Sequence, residues 1–170
     1  RLPTAMVGFR FLAGFYLLFA AWDGQTDTAF VVVFGLAVLS DIFDGIIARR
    51  LQVVSSWLRE ADSRADLCLY LCIIASIWRV FPEVLVAFWL PLAITVFAQL
   101  LQWISSFVKY RRLASYHSYS AKLWGLSLAV ATIALFGFHY AGMTLGATLL
   151  IGTLHNLEEV AMTLILPEWT

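Results

Sequence analysis

The sequence predicts an all-α integral membrane protein with six transmembrane helices and a polar cavity that faces the cytoplasm. Three observations predict this fold class. Hydrophobic residues make up 62% of the 170 residues and charged residues only 13%, which is far too apolar for a soluble domain of this size. The apolar residues form six runs that are long enough to cross a bilayer. The basic residues cluster in the connections on one side of these runs.

The six apolar runs are separated by short connections. They cover, in chain order, residues 5–22, 28–48, 57–81, 83–107, 122–140 and 143–166. Only helices and closed barrels satisfy every backbone polar group in lipid, and a spanning helix needs about 20 residues. Because the runs lack the alternating pattern of barrel strands, each is predicted to be a helix. The whole chain, residues 1–170, is predicted to form a single membrane domain.

The distribution of lysine and arginine predicts the orientation. Ten of the eleven basic residues lie near the N-terminus, in the connection 49–64 or in the connection 109–122, and the opposite side carries only Arg79. The positive-inside bias therefore places both termini and these two connections in the cytoplasm, in a plasma or inner membrane. Apart from these connections the sequence offers no basic surface, which argues against a nucleic-acid partner.

Four aspartates lie at the cytoplasmic ends of the second and third runs. Asp41 and Asp44 are three residues apart, and Asp62 and Asp66 are four apart, so each pair lies on one face of its helix. Carboxylates at membrane depth are costly and repel one another unless a cation compensates them. Oxygen donors without an adjoining Cys or His cluster favour Mg²⁺ or Mn²⁺. The pattern predicts a metal site that is open to the cytoplasm.

A plainer interpretation of the aspartates is that they form interfacial ion pairs with nearby arginines such as Arg49 and Arg64. Two helical pairs of acids favour the metal site instead. Gly45, which directly follows Asp44, also favours it, because a glycine there lets a ligand or a helix approach closely.

Residues 41–66 resemble the signature of the CDP-alcohol phosphotransferases, also called CDP-alcohol phosphatidyltransferases. The family pattern is D-x2-D-G-x2-A-R-x7–8-G-x3-D-x3-D. The sequence departs from it at Leu58, where the family has its second glycine. It matches at the seven other defining positions, which are Asp41, Asp44, Gly45, Ala48, Arg49, Asp62 and Asp66.

The resemblance implies an enzyme that moves a phosphatidyl group from CDP-diacylglycerol, or a similar CDP-linked donor, to a small alcohol and releases CMP. Such a reaction belongs to phospholipid synthesis. Glycerol 3-phosphate and inositol phosphate are the acceptors that we expect first. The four aspartates would hold Mg²⁺ or Mn²⁺, with two ions expected, and Asp66 would also be the catalytic base. Gly45, Ala48 and Arg49 would lie on the nucleotide side. Members of the family are often homodimers, so a homodimer is compatible with the resemblance.

Other polar residues have two interpretations each. Arg112 and Lys122, in the connection 109–122, could bind an acceptor phosphate or an anionic lipid, or could only set the topology. Thr4 and Arg10 resemble a loose family feature in the first helix, and could equally be interfacial anchors.

The sixth apolar run also contains ionisable residues. His155, Glu158 and Glu159 are expected to form a hydrogen-bonded cluster or a wall of the acceptor pocket.

A second class of function uses the same aspartates. A transporter or channel for divalent cations would place them on a permeation path. Such a path needs polar residues that continue to the far side, and the acidic residues there are only Asp23, Asp27 and Glu83. The one-sided clustering favours an enzyme cavity.

Overall fold

The structure is a computed structural model that describes residues 2–24, 26–51, 56–111 and 119–166. The side chains of residues 2–4, 44–46, 48–51, 56–60 and 63 lie outside this description.

The described residues form seven α-helices, and none of them lies in a strand. The helices are α1 (Leu2–Trp22), α2 (Thr28–Leu51), α3 (Ser56–Val80), α4 (Pro82–Ala87), α5 (Trp89–Tyr110), α6 (Tyr119–Phe138) and α7 (Gly142–Ile165). The prediction of an all-α protein is therefore confirmed.

The fourth apolar run is divided between α4 and α5. Phe88 separates the two helices, with φ −105° and ψ 18°. Pro91 is the third residue of α5 and explains the break. Its ring would clash with the carbonyl of Ala87, and it has no N–H to donate, whereas a proline is tolerated in the first turn of a helix.

Among the described residues, three helices are long and apolar enough to cross a membrane. These segments are Ala5–Trp22, Trp89–Tyr110 and Tyr119–Phe138, and Thr28–Phe43 is a shorter apolar stretch. Large apolar side chains on them are exposed, as lipid contact requires: Leu12 is 71% exposed and Phe97 69%. These observations support a membrane protein. The count of six spans and the cytoplasm-facing cavity remain predictions.

The helices form two compact units. The first contains Arg1–Val84 and Leu135–His139, and the second contains Leu85–Ala134 and Tyr140–Thr170. In the first unit α1 packs against both α2 and α3, and in the second α5 packs against α7. The single domain expected from the sequence stays a prediction.

A close contact between α1 and α3 shapes the first unit. A Cβ atom added to Gly14 would lie 3.3 Å from the Cα atom of Leu69 and 3.5 Å from the Cys72 Sγ atom. Ala13 and Ala65 are also buried. Small residues let two helix backbones approach closely in a membrane, where dispersion contacts drive helix association. We call this contact the α1–α3 seam.

The second unit has a corresponding contact between α5 and α7. Thr95 of α5 lies beside Leu149 and Thr153 of α7, and Ser106 lies beside Thr163, so the two helices run parallel. We call this contact the α5–α7 seam.

Candidate functional site

Three of the four predicted aspartates converge in the first unit. Asp41 comes from α2, and Asp62 and Asp66 come from α3. One carboxylate oxygen of each lies within 4.8 Å of the others. Their side chains are 46%, 35% and 34% exposed, in that order, so each remains partly accessible. The three carboxylates therefore form one partly accessible cluster.

The pattern of residues on α3 explains why two of these carboxylates face α1. The buried residues Ala65, Leu69, Cys72 and Ser76 recur every three or four positions, which places them on one face of the helix. Asp62 begins the same face one turn before Ala65 and Asp66. This face of α3 is consequently acidic at its start, and the remainder is apolar apart from Ser76.

Arg10 of α1 lies at the centre of the aspartate cluster. Its Nη1 atom donates hydrogen bonds to the Oδ1 atoms of Asp41, at 2.7 Å, and of Asp66. Its Nη2 atom donates to the Oδ1 atom of Asp62 at 2.5 Å. The planar guanidinium offers several donors in fixed directions, so it can serve three carboxylates at once.

The interpretation of Arg10 as an interfacial anchor is wrong, because its side chain is 0% exposed. A signal for its role was present in the sequence. Arg10 is the only charged residue in Leu2–Trp22, and a lone charge within an apolar run needs a partner of opposite charge. The four aspartates were candidate partners for this charge, but the sequence does not say which helix lies beside which.

The carboxylates also suit a divalent cation. Mg²⁺ binds oxygen ligands at about 2.0–2.1 Å, so two ligands on opposite sides of the ion lie about 4.2 Å apart. The three oxygens lie within 4.8 Å of one another, so small side-chain movements would let them bind one ion. Taken alone, three carboxylates and one guanidinium carry two net negative charges, which a divalent ion would balance.

Several predicted site residues lie outside the description. The side chains of Asp44, Gly45, Ala48 and Arg49 are among them, although α2 continues as a helix to Leu51. Asp41 and Asp44 are thus on one helix, as predicted. The roles of these four residues stay predictions, as does the effect of Leu58.

The connection 109–122 is described only at its two ends, and Arg112 lies outside the description. Lys109 donates hydrogen bonds to the carbonyls of Thr163 and Leu164, at 2.8 and 2.9 Å, and so caps the C-terminal end of α7. Lys122 is exposed, with its Nζ atom 5.3 Å from the centre of the Tyr119 ring. Its role in binding an acceptor stays a prediction.

The ionisable residues of α7 belong to the second unit. His155 Nδ1 lies 2.9 Å from Ser120 Oγ, and His155 Nε2 lies 3.6 Å from Glu159 Oε1. His155 and Glu159 are buried, whereas Glu158 is exposed. This arrangement fits a hydrogen-bonded cluster that joins α6 to α7. Within the described ranges, the aspartates of the first unit are the one group of three such residues close enough to hold a metal ion.

Comparison with known proteins identifies a family. The family model described as CDP-alcohol phosphatidyltransferase matches residues 1–165 of the 170-residue chain. No curated protein and no solved structure gives a significant match. The match extends over all seven helices and includes both helices that supply the aspartates. It confirms the family that the aspartate pattern resembles.

Proposed function

The chain belongs to the CDP-alcohol phosphatidyltransferase family, and from this premise we propose that it transfers a phosphatidyl group from CDP-diacylglycerol to a small alcohol and releases CMP. Members of this family are transferases of substituted phosphate groups. The observation that carries the proposal is the convergence of Asp41, Asp62 and Asp66 in one partly accessible cluster.

The aspartate cluster suits a substrate that contains a diphosphate. Asp41, Asp62 and Asp66 would hold Mg²⁺ or Mn²⁺, with Asp44 as a fourth ligand and room for a second ion. A bound divalent ion supplies positive charge for the phosphate oxygens as negative charge develops on the leaving CMP. Carboxylates at this site therefore bind an anionic donor indirectly, which they could not do by themselves.

The same cluster contains the proposed general base. The acceptor hydroxyl attacks the phosphorus atom that bears the lipid, its proton passes to the Asp66 carboxylate, and the bond from that phosphorus to the CMP oxygen breaks. CMP leaves with the electron pair of this bond. The Asp66 side chain is 34% exposed, so an alcohol can approach it, and its contact with Arg10 fixes the position of the carboxylate.

The finer assignments rest on the family resemblance. Gly45, Ala48 and Arg49 are proposed to contact the nucleotide, and Arg112 and Lys122 an acceptor phosphate. Glycerol 3-phosphate and inositol phosphate are the acceptors proposed first. The aspartate cluster is proposed to line a cavity that opens to the cytoplasmic side of a plasma or inner membrane. The enzyme is proposed to work in phospholipid synthesis, either alone or as a homodimer.

A product assay tests the proposal. Purified protein receives labelled CDP-diacylglycerol and a mixture of glycerol 3-phosphate, inositol phosphate and serine, with either Mg²⁺ or EDTA. We expect Mg²⁺-dependent release of CMP and one dominant phosphatidyl product by mass spectrometry. The Asp66→Asn variant is the matched inactive control. Release of no CMP with any acceptor, from protein that remains folded, would refute the proposed donor.

The divalent-cation transporter is disfavoured by the position of Arg10. A permeating cation would have to pass a buried guanidinium that already binds three carboxylates, and like charges repel in such a confined site. Uptake of Mn²⁺ into proteoliposomes that exceeds uptake into protein-free vesicles would revive this alternative.

A further inference from the structure

The ion pairs of Arg10 link three helices of the first unit. Arg10 is on α1, Asp41 is on α2, and Asp62 and Asp66 are on α3. A buried guanidinium is tolerated only with carboxylate partners, and the removal of one side of such a pair leaves the other uncompensated. The contacts of Arg10 therefore concern both the assembly of the helices and the charge of the cluster.

Carboxylates that lie within 4.8 Å of one another repel strongly when no cation is present. The guanidinium supplies that cation from the chain itself. It keeps the three carboxylates close together, so the ion does not have to bring them together from separate positions. In this respect Arg10 prepares the cluster for metal binding.

The same contacts also oppose metal binding. Arg10 donates to the Oδ1 atom of each of the three aspartates, and the same three carboxylates are the groups that could hold a divalent ion. A guanidinium and a divalent ion in one cluster repel each other and share the same acceptors. The presence of one must therefore lower the affinity for the other.

We propose, on the premise of the function given above, that Arg10 is a positioning residue that serves as the resident counter-cation of the aspartate cluster. It holds Asp41, Asp62 and Asp66 together when no divalent ion is bound, and it weakens the binding of that ion. The second effect keeps the ion exchangeable and leaves the guanidinium able to turn toward an anionic substrate.

The direction in which metal affinity changes when Arg10 is removed distinguishes this role from a purely structural one. If Arg10 only maintained the fold, its loss would disorder the carboxylates and weaken metal binding. If it is a competing cation, its loss raises the negative charge of the site and tightens metal binding. Coupling between two ligands of one site typically changes affinity by about 5-fold to 150-fold.

The test compares Arg10→Gln and Arg10→Lys with Arg79→Gln, which removes an exposed positive charge from the last turn of α3. Mn²⁺ affinity is measured by titration of its electron paramagnetic resonance signal, and thermal unfolding is measured in EDTA and in saturating Mg²⁺. For Arg10→Gln we expect a Kd for Mn²⁺ that is about 5-fold to 150-fold lower. We also expect a Tm in EDTA that falls by roughly 5–15 °C.

Saturating Mg²⁺ should restore most of the lost Tm in Arg10→Gln, because a ligand stabilises the state that it binds. Arg10→Lys keeps the charge but not the planar fork, so it should lie between the wild type and Arg10→Gln in both measurements. Arg79→Gln should match the wild type. If Arg10→Gln cannot be purified, the direction of the Mn²⁺ shift in Arg10→Lys gives the same answer.

Two results would overturn the inference. One is Mn²⁺ binding in Arg10→Gln that is weaker than or equal to that of the wild type, and the other is an unchanged Tm in EDTA. Neither measurement uses CMP release. A protein that shows the expected shifts but releases no CMP would refute the proposed function, and an active protein without the shifts would refute only the role of Arg10.

Discussion

The α1–α3 seam and the α5–α7 seam both bury polar side chains between parallel helices, but they do so with different chemistry. The α1–α3 seam begins with one guanidinium and two carboxylates, and Asp41 of α2 joins them. The buried polar side chains of the α5–α7 seam are neutral, and at its end Lys109 and Tyr110 donate hydrogen bonds to carbonyls of α7 and the residue that follows it. The buried hydroxyl and amide residues of this seam are Thr95, Gln102, Ser106, Asn156 and Thr163.

The polar side chains of the two seams also differ in how exposed they are. The carboxylates of the α1–α3 seam remain 34–46% exposed. In the α5–α7 seam Ser106 and Thr163 are 0% exposed and Gln102 is 1% exposed. Neutral groups that are hydrogen-bonded stabilise packing, whereas charged groups at membrane depth are costly unless a partner or a ligand compensates them. The comparison supports the proposal that the reaction takes place at the first seam, and it indicates that the second seam holds α5 and α7 together.

The largest expected effect is on turnover in Asp66→Asn. The amide cannot accept the proton of the acceptor hydroxyl, so CMP release should fall by about 10²-fold to 10⁴-fold. Donor binding should persist, because the other aspartates remain. CMP release and binding of CDP-diacylglycerol are both measured, with Asp23→Asn as the control, since Asp23 is an exposed acid in the connection between α1 and α2. Near-normal turnover would remove Asp66 from the role of base.

An intermediate effect is expected at Gly14, which sets the separation of α1 and α3. A larger side chain there would meet the backbone of Leu69, one helical turn beyond the level of Arg10. Gly14→Leu should push the helices apart, lower stability by about 1–3 kcal/mol, and reduce CMP release by about 10²-fold through misplaced carboxylates.

Gly8 provides a matched control for this substitution. It lies on the same helix, and a Cβ atom added to it would have nothing within 4 Å. Gly8→Leu should therefore leave both thermal unfolding and CMP release close to those of the wild type. Equal losses in the two leucine variants would mean that the α1–α3 seam does not position the site.

Sequence alone was sufficient for the parts of the site that depend on local spacing. The spacing of four between Asp62 and Asp66 predicts one helix face, and the polar turn before Asp62 predicts that the chain reverses. These inferences predict that carboxylates from α2 and α3 meet, as they do. The family pattern could be recognised because charged residues are rare in such an apolar sequence.

The position of Arg10 and the break at Phe88 could not be derived in the same way. Arg10 acts through neighbours 31 to 56 residues away, and no local pattern states which helix packs on which. The break between α4 and α5 depends on the clash of Pro91 with the preceding turn, and a hydropathy pattern contains no information about such a clash. The sequence thus predicts which residues share one face of a helix, whereas contacts between helices become known only from the structure.

The smallest expected effect is at Thr95, in the α5–α7 seam. Thr95 Oγ1 lies 2.9 Å from the Pro91 carbonyl, 3.1 Å from the Leu149 carbonyl and 2.9 Å from Thr153 Oγ1. Thr95→Val keeps the shape of the side chain but removes the hydroxyl that joins the two helices. A hydrogen bond between membrane helices contributes about 0.6–2 kcal/mol, so stability should fall by that amount.

Thr132→Val is the matched control, because Thr132 Oγ1 donates only within its own helix, to the Leu128 carbonyl at 2.8 Å. Thermal unfolding should therefore separate the two variants, with the lower Tm in Thr95→Val. CMP release should be unchanged in both, since neither hydroxyl belongs to the aspartate cluster. A large loss of CMP release in Thr95→Val, with little change in its Tm, would show that the α5–α7 seam takes part in the reaction and does more than hold the two helices together.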